Sequence, residues 1–141
     1  DEKYDAIFNL FTSFGYFEDD ADNYKTIKAI HNSLTETGFA VIDFMNVDYV
    51  LENLVADEVK SVDGIDFHIK RYLKDGHIYK EIDFEDKGKK FHFIEKVQAL
   101  RLEDFEKIME ETGIYLLDIF GDYKLRKFFK TQSERLIMIF K

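Results

Sequence analysis

A strand–helix–strand succession over roughly the first forty residues constrains this chain more than any other feature. Tyr4–Leu10 is mostly apolar and alternates poorly, as a strand buried on both faces should. It runs straight into Phe11-Thr12-Ser13-Phe14-Gly15-Tyr16-Phe17, an aromatic loop containing one glycine. Glu18-Asp19-Asp20-Ala21-Asp22-Asn23 follows, rich in residues that start helices, and its charge suits the positive end of a helix dipole. Tyr24, Ile27, Ile30 and Leu34 then recur at helical spacing, and Gly38 is expected to stop the helix. Phe39–Phe44 is a second strand of the buried type. Two strands joined by a helical crossover pair in parallel, so the expected fold class is α/β.

The pattern changes after a short helix expected over Val47–Leu54, with Asn46 as its cap. Asp63-Gly64, Asp75-Gly76 and Lys87-Gly88 punctuate the next stretch at even spacing. Asp-Gly between alternating residues is a strong hairpin signal. Ile65, Phe67, Ile69 and Leu73 share one face of a strand; Ile78, Ile82 and Phe84 share a face of the next; Phe91, Phe93, Val97 and Ala99 do so in a third. Residues 56–100 are therefore expected to form a four-stranded antiparallel meander, apolar on one face and charged on the other. Leu102, Phe105, Ile108 and Met109 mark an amphipathic helix closed by Gly113, and Tyr115–Phe120 and Leu136–Phe140 are apolar strands joined by a long basic and aromatic connection. One domain over 1–141, carrying the meander as an insertion, accommodates all of this.

Twenty basic against 29 acidic residues give a formal charge of −9. A nucleic-acid partner is not expected, since such binders neutralise phosphates with Lys and Arg; the local run Lys124, Arg126, Lys127 and Lys130 reads as a solvated loop. Without cysteine there is no disulfide, thiolate zinc site or Cys nucleophile. His31, His68, His77 and His92 lack metal-ligand spacing, so no metal is expected. No apolar run reaches the roughly 18 residues that span a membrane, and no signal peptide opens the chain, so no membrane partner and a cytoplasmic location are expected. The first residue is Asp rather than Met, as in a processed chain or a piece of a longer one.

Several segments, in order, resemble one family. They are Tyr4-Asp5 with Asn9 and the loop Thr12-Ser13-Phe14-Gly15-Tyr16-Phe17; Phe39–Phe44 with Met45-Asn46; the antiparallel insert; Leu102-Glu103-Asp104-Phe105 through Glu111-Thr112-Gly113-Ile114; Gly121-Asp122-Tyr123; and Ser133-Glu134-Arg135-Leu136-Ile137. This succession is similar to the fourth strand onward of class I S-adenosylmethionine-dependent methyltransferases, of the small-molecule type with an antiparallel insert after the fifth strand. The resemblance implies the C-terminal half of a Rossmann-like sheet: about four core strands, flanking helices and the meander as lid or wall. Missing are the family's glycine-rich cofactor loop and the acidic residue that ends its second strand, both of which the resemblance places upstream of Asp1. The chain is then a fragment, with the missing N-terminal half of the domain as partner. Glu36-Thr37-Gly38 stands where the family has a Pro-Gly-Gly turn.

The resemblance implies S-adenosylmethionine as cofactor of the full-length protein and a small-molecule acceptor; the acidic charge and the inserted lid favour a small, amine-containing one over nucleic acid. Asn9, with the backbone at Leu10 and Phe11, would face the methionine portion; the alternative for Asn9 is a polar strand end bonded to a neighbouring loop. Phe11, Phe14, Tyr16 and Phe17 suit a cationic sulfonium, which aromatic faces attract by roughly 0.5–2 kcal/mol, and equally suit a hydrophobic core. Phe14, Tyr16, Arg101 and Tyr123 are candidates at the substrate, with Arg135 beside them. No catalytic residue is assigned, because an in-line methyl displacement draws much of its rate from orientation and requires no dedicated base. A second reading makes the chain a non-catalytic interaction module, a homodimer pairing through Tyr4–Leu10 as an exposed edge or through the meander. A third is a ligand-binding α+β domain.

Overall fold

The structure, a computed structural model, describes residues 2–141. In chain order the elements are β1 (Tyr4–Asn9), α1 (Asp20–Asn32), β2 (Leu34–Met45), α2 (Val47–Glu52), β3 (Asp57–Val62), β4 (Ile65–Lys74), β5 (His77–Asp86), β6 (Lys89–Gln98), α3 (Leu102–Thr112), β7 (Leu116–Phe120) and β8 (Arg135–Phe140). They fall into two compact units, one formed by the residues up to Val50 with Leu100–Lys141, the other by Leu51–Ala99.

The first unit is built on a sheet of order β1-β2-β8-β7. β1 and β2 are parallel, as the crossover through α1 requires, and β8 runs antiparallel to both of its neighbours. The carboxyl ends of β1, β2 and β7 and the amino end of β8 therefore share one edge of the sheet. Ala40, Ile42 and Phe44 line one face of β2 and are buried with Leu136, Met138 and Phe140. Phe105 of α3 packs against Phe44 at 5.4 Å between ring centroids and against Phe14 at 5.5 Å. The amphipathic spacing of α3 and its stop at Gly113, which adopts φ 72°, agree with the sequence.

Among the described residues β1 pairs with β2, Tyr4 and Phe8 are exposed, and the Phe8 ring meets Phe39 edge to face at 6.1 Å. Two local expectations change. α1 ends at Ser33 rather than Gly38, because the Ser33 N–H reaches the carbonyls of Ala29 and Ile30 and its hydroxyl returns to Ala29. β2 thus starts at the buried Leu34, five residues before Phe39. Gly38 lies inside that strand where the pairing shifts from Tyr4–Leu34 to Ala6–Phe39. A Cβ there would sit 2.9 Å from the Tyr4 carbonyl oxygen, so its glycine permits close backbone approach instead of stopping a helix. Finally, α2 stops at Glu52. Asn46, just before α2, accepts the Val50 N–H through its backbone carbonyl, and its side-chain amide nitrogen donates to the carbonyls of Lys130 and Ser133, tying the end of β2 to a segment more than eighty residues away.

The second unit holds the meander, ordered β3-β4-β5-β6 with every neighbour antiparallel. Each two-residue turn has both residues at positive φ: Asp63 and Gly64, Asp75 and Gly76, Lys87 and Gly88. That geometry matches the strand twist and accounts for a glycine at each second position. The register sets Ile69 opposite Ile82, Ile82 opposite Phe93 and Phe84 opposite Phe91. Phe84 stacks on Phe91 and meets Phe67 at a tilt, with ring centroids 4.8 Å apart in both pairs. The opposite face carries the stacked pair Tyr72 and Tyr79 and the His92–Asp83 pair at 2.6 Å.

Candidate functional site

Open α/β sheets bind ligands beyond the carboxyl ends of their parallel strands, and that edge of the first unit is organised around one buried carboxylate. Asp43 lies near the end of β2 and is 1% exposed. A charge so placed must be paired and fully hydrogen-bonded. Its Oδ1 accepts from Arg135 Nε at 2.8 Å, and its Oδ2 accepts both the Phe11 N–H at 3.0 Å and the Tyr123 hydroxyl at 2.9 Å. Its backbone carbonyl accepts the Thr12 N–H at 2.9 Å. Arg135 Nη2 also donates to the Thr12 hydroxyl at 3.0 Å. One residue of β2 therefore joins the loop after β1, the β7–β8 connection and the first residue of β8.

The loop held in this way is strained. Phe11 and Thr12 adopt φ 59° and 55°, a region that costs an L-residue roughly 1–2 kcal/mol. Their N–H bonds to Asp43 offset that cost. The Phe11 ring is 74% exposed and meets Tyr123, 61% exposed, edge to face at 6.4 Å. The Arg135 guanidinium lies 5.8 Å from the Tyr123 ring centroid, on its face. Burial first, and then the hydrogen bond to Asp43, push the Tyr123 phenol above its ordinary pKa against the opposing charge of Arg135. It remains a protonated donor through neutral pH.

Asn9 ends β1, and its Oδ1 is shielded from solvent without a hydrogen-bond partner among the described residues. Buried polar atoms are nearly always satisfied, so this acceptor without a partner stands out at the carboxyl edge of the sheet. Leu10 and Tyr16 are exposed near it in sequence, and Gly15 supplies a positive φ of 85° for the turn between Phe14 and Tyr16. Phe14, a candidate at the substrate, is 1% exposed between Phe105 and Phe17 and anchors the loop in the core. Arg101 does not join the Asp43 cluster either. Its Nε pairs with Asp48, 53 residues earlier, at 3.0 Å, and its N–H donates to Asp104 at the start of α3. In the basic connection, Arg126 pairs with Asp122 and Lys130 with Glu103, so much of its charge is neutralised within the chain. Among the described residues no group of three or more His, Cys, Asp or Glu could hold a metal ion, and no helix is long and apolar enough to cross a membrane.

No protein-family model matches the chain. It is 27% identical over 124 residues to a glycine/sarcosine/dimethylglycine N-methyltransferase of Actinopolyspora halophila, covering 86% of this chain and 21% of that protein. It is 26% identical over 126 residues to a glycine/sarcosine N-methyltransferase of Halorhodospira halochloris, covering 86% and 45%. An S-adenosylmethionine-dependent methyltransferase of Clostridium acetobutylicum superposes with a TM-score of 0.85 at 26% identity, over 99% of this chain and 58% of that one. The chain has the fold of the C-terminal half of a class I S-adenosylmethionine-dependent methyltransferase. It spans less than half the length of these two curated relatives. Within that fold, β1 and β2 are parallel core strands, β8 is the antiparallel one, and the meander is the insert. These comparisons support S-adenosylmethionine as the cofactor.

Proposed function

We propose that this chain supplies part of the cofactor site and the acceptor side of a methyltransferase that transfers a methyl group from S-adenosylmethionine to a small amine. The observation that carries this reading is the orphaned Asn9 Oδ1 at the carboxyl edge, beside a loop whose aromatic ring is held outward at Phe11. The donor set fits the methionine end of the cofactor. Asn9 offers an acceptor to its ammonium group, and Phe11 and Tyr123 offer aromatic faces to the neighbouring positive charge. When bound, S-adenosylmethionine supplies an electrophilic methyl group on a cationic sulfur. This chain's residues bind and orient: Leu10 and Phe11 border the cofactor, while Tyr16 and Tyr123 border the acceptor and exclude water. The relatives' glycine and sarcosine acceptors favour nitrogen as the methyl-accepting atom.

Cofactor binding takes contributions from both halves of such a sheet, so residues 1–141 alone are expected to be inactive. Calorimetric titration of the isolated chain should show no micromolar binding of S-adenosylmethionine; micromolar binding would refute the claim that its cofactor site is incomplete. A second reading has its own observation. β1 leaves one edge unpaired, with Tyr4 and Phe8 exposed beside it, and a bare edge of this kind pairs readily with another strand. Sedimentation of the isolated chain at high micromolar concentration should then reveal a homodimer, and a clean monomer would count against this second role.

A further inference from the structure

We propose that Asp43 is a positioning residue for the cofactor, acting through the loop after β1 and not by contact. The proposal rests on the methyltransferase reading above. Three observations support it. First, the bonds of this carboxylate lead outward to the site: apart from Arg135, its side-chain partners are the Phe11 N–H and the Tyr123 hydroxyl. A charge pair serving only the core would find its partners inside the sheet. Second, the segment it holds is the one that cannot hold itself. Phe11 and Thr12 are consecutive non-glycine residues at positive φ, and without the Asp43 acceptors both revert to ordinary backbone. Such a reversal re-aims the Phe11 ring and the strand end at Asn9. Third, Arg135 grips both sides of the connection, bonding the Asp43 carboxylate and the Thr12 hydroxyl. Side chain and backbone of one residue thus lock a strained loop from below while leaving its upper surface open.

In mechanistic terms, the lock removes alternative loop conformations before the cofactor arrives. Preorganisation of this kind appears as affinity, because ordering that precedes binding need not accompany it. Asp43 does not touch the reacting atoms in this account, and its effect should reach them only through Phe11, Asn9 and Tyr123.

The test uses the natural protein that contains this chain, with Asp43→Asn and the milder Tyr123→Phe. Asp43→Asn keeps the shape but loses the charge, and Tyr123→Phe removes a single donor while keeping the ring. Hydrogen exchange at the Phe11 and Thr12 amides reads the lock directly, and calorimetric titration with S-adenosylmethionine reads its consequence. Weakening of the side-chain bond predicts exchange about tenfold faster at the Phe11 amide and about tenfold weaker cofactor binding in Asp43→Asn, whereas the Thr12 amide, bonded to the Asp43 backbone carbonyl, should quicken only as far as the loop opens. The amides of Ile42 and Met138, in the paired strands, should keep their protection. Tyr123→Phe should move both readouts the same way by a smaller factor. Unchanged cofactor affinity with faster loop exchange would overturn the positioning role, and an equal loss of protection at Ile42 and Met138 would reduce Asp43 to a core ion pair. If Asp43→Asn does not fold, Tyr123→Phe decides between these outcomes. Failure of the unsubstituted protein to bind S-adenosylmethionine would overturn the methyltransferase reading and this proposal together, and that control separates the two failures.

Discussion

Replacing Phe105 with alanine should destabilise the first unit by about 3–5 kcal/mol, the usual cost of removing a buried aromatic ring. Phe105 is fully buried on α3 and contacts both Phe44 of β2 and Phe14 of the aromatic loop. Three rings meeting at centroid separations near 5.5 Å leave nothing small and mobile to fill the void. The effect should extend beyond stability. Phe14 fixes the loop between Phe11 and Phe17 by packing on Phe105, so losing that ring loosens the loop from its inner side. Urea denaturation followed by circular dichroism measures the change, and a loss under about 1 kcal/mol would show that the helix–sheet contact is not the centre of this core.

The second large effect is expected at Gly121, just after β7. A Cβ added there would lie 2.2 Å from Ser133 Oγ, 2.7 Å from Ser133 Cβ and 3.0 Å from the Lys127 carbonyl oxygen. Ser133 cannot give way freely, because it is nearly buried and its hydroxyl accepts the Phe129 N–H at 2.7 Å. Gly121 is also held on both sides, donating to the Arg126 carbonyl and accepting the Arg135 N–H. Gly121→Val should therefore cost about 3 kcal/mol or more, overpacking compounded by a broken hydrogen bond. It should also displace Tyr123 and Arg135, the two side chains that reach Asp43 from this connection. Thermal unfolding measures the first effect, and exchange at the Phe11 amide measures the second. A variant as stable as the parent, with that amide still protected, would show that the connection is looser than this packing implies.

Legibility varied with the range of the forces involved. The meander could be read from its turns, since positive φ at two consecutive residues is a local demand that Asp-Gly meets by itself. α3 was equally plain, because amphipathic spacing and a glycine stop are properties of one helix. Gly38 misled because a glycine after a helical pattern satisfies either of two demands: a helix stop, or room for another backbone. Here the second applies, and it comes from Tyr4, more than thirty residues earlier.

The candidate site divides along the same line. Asn9, Phe11 and Tyr123 were separate candidates from the resemblance, and the contact between the two rings is what the structure adds. Phe14 could not be told from its exposed neighbours, because which ring of an aromatic loop turns inward depends on where Phe105 stands. Asp43 went unselected, although an acid inside the apolar run Ala40–Met45 is a signal: a buried carboxylate demands partners.

By itself, then, the sequence determined the parallel β-helix-β start, the antiparallel hairpins and the methyltransferase-like order of segments, since each follows from neighbours close along the chain or from the succession of such pieces. Only the tertiary structure decided that Gly38 serves a close backbone approach, which aromatic rings face outward, and that Asp43 joins groups 32, 80 and 92 residues away into one lock. The physical reason is that a hydrogen bond or a buried ion pair depends on distance in space, and the pattern along a chain encodes that distance only where the partners are near neighbours.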